Sequence, residues 1–279
     1  MVAGERDDAR GEEIARWDVM RRPHFAATSR RSTSTALGEE RLLDLVHGSE
    51  RVPATFLLPE GSRATPAVLL LHGFSSSKER MVQSVGRALQ QRGVASLALD
   101  LPFHGERDGG RDEIPYRNPL ALVAAWTTAV REARAAIEWL AEQPQVDAAR
   151  IGAIGYSLGG FLTLMTASEE PLVRAVTLAA AGDLPDTTPY VALVRRAVDP
   201  LRAVRKLGGR PLLLVNGRRD TTTRPAQAER LFAYAEEPKA LRWYDGGHWP
   251  PPKAIDDAAA WMAERLRDPA LRAARRHAG

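Results

Sequence analysis

The chain has 279 residues, 44% of them hydrophobic, with a formal net charge of +4 at pH 7, enough length and apolar content for one large α/β domain or two small ones. Cysteine is absent, which excludes disulfides, thiolate metal sites and a cysteine nucleophile and leaves the redox compartment open. The basic excess is arginine, since Lys78, Lys206, Lys239 and Lys253 are the lysines, and the arginines are interleaved with Asp and Glu; solvated helix faces are expected, and a nucleic-acid partner is not.

The start, MVAGERDDARGEE, lacks the apolar stretch of a signal peptide, and no apolar run approaches bilayer length. A cytoplasmic protein without membrane association is therefore expected. Residues 1–38 read as a partly ordered extension: a short helical pattern around EEIARWDVMRR, then the polar TSRRSTSTALGEE, which has neither a strand nor a helix period. RLLDLVHG and RVPATFLLPEG then alternate apolar and polar residues across a Gly-Ser turn, the pattern of an antiparallel hairpin with one buried face. A single catalytic domain is expected over residues 39–268, followed by a basic tail over 269–279.

Short, wholly apolar runs follow at PAVLLLHG, GVASLALDLP, ARIGAIGYS, VRAVTLAAAG and RPLLLVNG, as suits strands buried on both faces of a parallel sheet. Between them KERMVQSVGRALQQRG, LALVAAWTTAVREARAAIEWLAEQ, GGFLTLMTASEE, PAQAERLFAYAEE and KAIDDAAAWMAERLRD repeat apolar residues at helical spacing. The alternation predicts a mostly parallel, doubly wound sheet opened by an antiparallel hairpin, with helices on both faces.

The segment with most chemical content is IGAIGYSLGG, where Gly155, Ser157 and Gly159 complete G-x-S-x-G between an apolar strand and a helical pattern. Glycines are needed on both sides because the serine sits on a strained turn where side chains would strike neighbouring backbone. A hydroxyl is nearly inert at neutral pH, so Ser157 needs a base, and the base needs an acid that fixes its tautomer.

Six histidines compete for the role of base. His24, His47 and His277 fall in the extension, the hairpin and the tail; His72 ends a strand and is suited to bracing a loop. His104 precedes Ser157, against the chain order serine, acid, histidine. His248 comes last, after the strand ALRWYDGG, and is the candidate base. Asp220, at the end of LLLVNGRRD, is the favoured acid, with Asp183 after LAAAG as its rival; Asp100 precedes the serine and suits a structural hydrogen bond. Two backbone amides are candidates for an oxyanion hole: Leu158, after the nucleophile at a helix N-terminus, and Phe74 in HGFSSSKE.

Taken together, LLLHGFSSSKE, GYSLGG, LLLVNGRRD and GGHW resemble the α/β-hydrolase superfamily and, within it, the dienelactone-hydrolase-like and acyl-esterase branch, from about residue 40 to 268. The resemblance implies an eight-stranded sheet and a serine esterase acting on small-molecule esters, with no cofactor, no metal and at most a small cap. Dienelactone hydrolases use cysteine, so Ser157 points to other esters. Thioesterase, acyltransferase or peptidase chemistry would use the same three residues, as a non-catalytic binding module on this fold would not. The pocket is expected from FHGERDGGRDEIPYRNP and GDLPDTTPYVALVRRAVDP, where Arg107, Arg111 and Arg117 are candidates to hold a substrate carboxylate. Oligomeric state is open.

Overall fold

A computed structural model of the chain describes residues 24–107, 118–185 and 191–269. Three antiparallel strands come first: β1 (Ala26–Thr35), β2 (Gly38–His47) and β3 (Glu50–Pro59). In β2 Leu43 and Leu45 turn inward while Asp44 and Val46 remain half-buried, so the alternation that marks the hairpin is real. β3 is buried over most of its length because it pairs with the rest of the sheet, Ala54 lying opposite Leu99.

The parallel part of the sheet follows. β4 (Thr65–Leu71) is buried throughout and alternates between two core layers, Ala67, Leu69 and Leu71 on one face, Val68 and Leu70 on the other. β5 (Ala95–Leu99), β6 (Val146–Tyr156), β7 (Val173–Ala179), β8 (Leu212–Gly217) and β9 (Lys239–Tyr244) complete a nine-stranded sheet in the order β1-β2-β3-β5-β4-β6-β7-β8-β9.

One face is covered by α1 (Lys78–Met81), which continues through a π-helical turn at Val82–Gly86 into α2 (Arg87–Gln90), and by α8 (Pro252–Arg267). The other is covered by α3 (Pro119–Glu142), α4 (Leu158–Glu169), α6 (Pro200–Arg205) and α7 (Pro225–Tyr234), with α5 (Val191–Ala197) packed outside them. Asn118 caps α3 by accepting from the amides of Leu120 and Ala121, and Pro119 occupies the first helical position. No helix among the described residues is long and apolar enough to cross a membrane.

Among the described residues nine strands stand where eight are expected, and the difference lies in the polar stretch read as having no period. Ala26–Thr35 pairs with β2 from Ala26 opposite Val46 to Thr35 opposite Gly38. Every residue of β1 is exposed. An edge strand with water on both faces needs no hydrophobic alternation; backbone pairing holds it, helped by ion pairs from Arg30 to Glu106 and Asp44.

Candidate active site

β6 ends at Tyr156 and α4 begins at Leu158, which leaves Ser157 alone on the turn with φ 52° and ψ −116°. A serine reaches this conformation only when its surroundings over-determine it, at a cost of about 1–3 kcal/mol. Here its amide donates to the Ala179 carbonyl at 2.8 Å and its carbonyl accepts from the Phe161 amide at 3.1 Å. The flanking glycines are required by contact: a Cβ on Gly155 would sit 2.2 Å from the Gly159 carbonyl oxygen, and one on Gly159 would sit 2.1 Å from that of Leu71.

Asp220 follows β8 and His248 follows β9, so both reach the same sheet edge as the serine. His248 Nε2 lies 2.9 Å from Ser157 Oγ, and its Nδ1 lies 2.8 Å from Asp220 Oδ2. The second carboxylate oxygen of Asp220 accepts from the amides of Thr222 and Thr223 at 2.8 and 3.0 Å. The Asp220 side chain is fully buried whereas that of His248 is 18% exposed, so the acid is shielded and the base opens toward solvent. With a carboxylate accepting at Nδ1, the proton resides there and the Nε2 lone pair faces the serine hydroxyl.

The main chain of His248 also has partners. The hydroxyls of Tyr244 and Tyr156 donate to its carbonyl at 3.2 and 3.4 Å. Burial keeps both phenols well above their usual pKa, so they remain donors. These tyrosines carry no motif of their own, and sequence reasoning missed them.

The loop after β4 carries Phe74, and its carbonyls are tied down one by one. His72 Nδ1 and the Ser76 amide both donate to the Gly73 carbonyl, at 2.8 and 3.1 Å. His72 Nε2 accepts from the Leu101 amide at 3.1 Å, so it braces the loop as expected, and burial pushes its pKa down to about 4. His104 has a bracing part that sequence reasoning did not foresee: Nε2 lies 2.6 Å from the Phe74 carbonyl and Nδ1 2.7 Å from that of Pro102. Phe74 and Leu158 line one cavity of about 120 Å³, together with Phe103, Leu122, Trp126 and Leu162 among others.

Asp183 is occupied elsewhere, its carboxylate accepting from Arg195 at 2.8 Å and Arg230 at 3.3 Å. Asp100 ties two loops together: it accepts from the amides of Lys78 and Glu106 and from Lys78 Nζ at 2.7 Å. Lys78 Nζ also lies 2.6 Å from both Glu79 and Glu106. Burial works against its charge, but these carboxylates prevail and hold its pKa above the ordinary value. The acidic group Glu79, Asp100 and Glu106 is thus built around an ammonium. Arg107, expected to be available to a substrate carboxylate, is instead committed to Glu132 through two bonds of 2.9 Å. Arg111 and Arg117 lie outside the described residues.

The family model described as alpha/beta hydrolase family matches residues 68–278. The chain belongs to this family. A polyketide transferase of Stachybotrys chlorohalonatus, ATR5, is 33% identical over 162 residues, 57% of this chain and 50% of that protein. The chain spans about half the length of the curated relatives it matches. Among solved structures, acetyl xylan esterase 1 from Thermoanaerobacterium sp. aligns with a TM-score of 0.70 at 18% identity, over 92% of this chain and 93% of that one. A cold-adapted esterase from an Arctic intertidal metagenomic library aligns with a TM-score of 0.68 at 20% identity, over 85% and 98%. These two are likenesses of fold.

Proposed function

We propose that this alpha/beta hydrolase cleaves carboxylic esters of small acyl substrates through an acyl-enzyme on Ser157. The observation that carries the reading is the continuous chain Ser157 Oγ, His248, Asp220, with contacts of 2.9 and 2.8 Å. His248 Nε2 takes the hydroxyl proton as Oγ attacks the ester carbonyl. The amides of Leu158 and Phe74 receive the developing oxyanion, each worth about 3–4 kcal/mol of barrier. Collapse of this intermediate breaks the bond to the alkoxide, which leaves with the proton from His248 Nε2. A water deprotonated by the same nitrogen then attacks the acyl-enzyme, releasing the acid and restoring Ser157.

The apolar cavity beside Phe74 and Leu158 supports a short, uncharged acyl group, and the commitment of Arg107 to Glu132 removes one candidate for holding a substrate carboxylate. The reading includes a cytoplasmic setting and no cofactor. Hydrolysis of p-nitrophenyl esters of rising chain length tests it: turnover should be highest for the short acyl groups, and absence of turnover on all of them would refute it. The resemblance to a polyketide transferase favours one second reading, transfer of the acyl group to an acceptor other than water. Added alcohol that diverts the acyl group into a new ester at the expense of acid would mark that route.

A further inference from the structure

The loop after β5 holds a residue in a backbone conformation that does not suit it. The His104 amide donates to the Leu101 carbonyl at 3.0 Å, and between them Phe103 has a φ of 64°. Proline in the second place and a positive φ in the third are the marks of a type II turn, whose third place belongs to glycine or asparagine. Phenylalanine there costs about 1–3 kcal/mol. The turn is nonetheless locked, since His104 Nδ1 also lies 2.7 Å from the Pro102 carbonyl.

The core does not account for the aromatic residue. Phe103 is half-buried and joins none of the hydrophobic clusters among the described residues. Its place is at a partition. Pro102, Phe103 and Ala125 line the cavity of about 120 Å³ that also meets Phe74 and Leu158, and the same three line an outer cavity of about 460 Å³. Residues that border both spaces form the wall between them, and Phe103 brings the largest side chain of the three. The charged groups of the outer cavity, Glu50, Arg51 and Arg107, are paired with Arg131, Asp44 and Glu132, so an alkyl end entering it leaves no charge without a partner. A cavity of about 150 Å³ accommodates benzene in another protein, so the inner space takes an acyl chain of no more than about five carbons.

We propose that Phe103 sets the acyl length: it closes the inner cavity, and a smaller side chain at position 103 joins that cavity to the outer one and admits long acyl groups. The proposal rests on the reading of Ser157 as the nucleophile of ester cleavage.

The test is kcat/KM for p-nitrophenyl acetate, butyrate and octanoate with wild type, Phe103→Gly and Phe103→Leu, beside fluorophosphonate labelling and melting curves. Glycine removes the ring and the backbone strain together, which favours a folded variant. Wild type should prefer acetate and butyrate to octanoate. Phe103→Gly should raise the octanoate-to-acetate ratio of kcat/KM about ten- to hundredfold, with Phe103→Leu between; the ratio cancels any loss common to both esters. An unchanged ratio in folded Phe103→Gly, or a wild type that cleaves octanoate as readily as acetate, would overturn the proposal and leave the ester reading intact. Neither turnover nor label on the wild type would overturn the ester reading, and this proposal with it. If Phe103→Gly does not fold, an unchanged ratio in Phe103→Leu still overturns the proposal.

Discussion

One oxygen of Asp220 reaches His248 Nδ1 at 2.8 Å while the other is fixed by the amides of Thr222 and Thr223. The carboxylate cannot swing, so it dictates which way the imidazole faces. Asp220→Asn should leave His248 in the wrong tautomer and lower kcat by about four orders of magnitude with little change in melting temperature. Asp183→Asn, whose parent carboxylate serves Arg195 and Arg230, should leave kcat near wild type. Retention of more than about a tenth of kcat by the Asp220 variant would remove that residue from the mechanism.

The nucleophile turn makes a different demand, for space. Gly159→Ala would put a methyl group 2.1 Å from the Leu71 carbonyl oxygen, where only backbone can give way. Thermal or chemical denaturation should show a loss of about 3 kcal/mol or failure to fold. A variant with wild-type stability would contradict the tight approach of α4 to β4.

Arg107 and Glu132 form a bidentate pair in which Glu132 is nearly fully buried. Burial raises the Glu132 pKa and Arg107 opposes this. Removing the arginine strands the carboxyl, so Arg107→Ala should destabilise the protein by about 3–5 kcal/mol. In the double variant Arg107→Met/Glu132→Leu most of that loss should disappear, since no buried charge remains unpaired. Equal melting curves for the single variant and the wild type would return Arg107 to the pool of free surface charges.

The order of the catalytic candidates and the parallel core were legible in the sequence because their causes are local. Gly155 answers a steric need within five residues, the carbonyl of Gly159, and the continuous apolar runs of β4 and β8 reflect burial on both faces. β1 was not legible, because an exposed edge strand such as Ala26–Thr35 carries no burial pattern. The pairing of Arg107, one of three candidate carboxylate ligands, was not legible because its partner, Glu132, stands 25 residues away on α3 and meets it only in the fold. The hydroxyl of Tyr156 on the His248 carbonyl depends on the end of β6 meeting the loop after β9, which spacing alone does not encode; Tyr244, four residues before His248, reaches the same carbonyl from the end of β9 itself.

His72 makes stability depend on pH. Its folded pKa of about 4 lies below the ordinary 6.5, so between those values the unfolded chain takes up a proton that the native state refuses. Stability from this residue is intact above about pH 6.5, falls as pH drops toward 4 and is level below that, with a total loss of about 3 kcal/mol. Urea denaturation of wild type and His72→Gln from pH 8 to 4 should show the difference in their stabilities changing by that amount across the window. A difference independent of pH would show that His72 is not buried as a neutral ring.

Ser157 is where the account is most exposed. Its side chain has no part in holding the turn, which rests on the contacts of Gly155 and Gly159 and on backbone bonds to Ala179 and Phe161. The most direct measurement is kcat for p-nitrophenyl acetate with wild type and Ser157→Ala, alongside stoichiometric labelling by a fluorophosphonate and melting curves of both. The prediction is one label per wild-type chain, none on the variant, a fall in kcat of about six orders of magnitude and nearly unchanged melting. Ester turnover by a folded Ser157→Ala protein at a rate comparable to wild type would contradict the assignment of Ser157 as nucleophile.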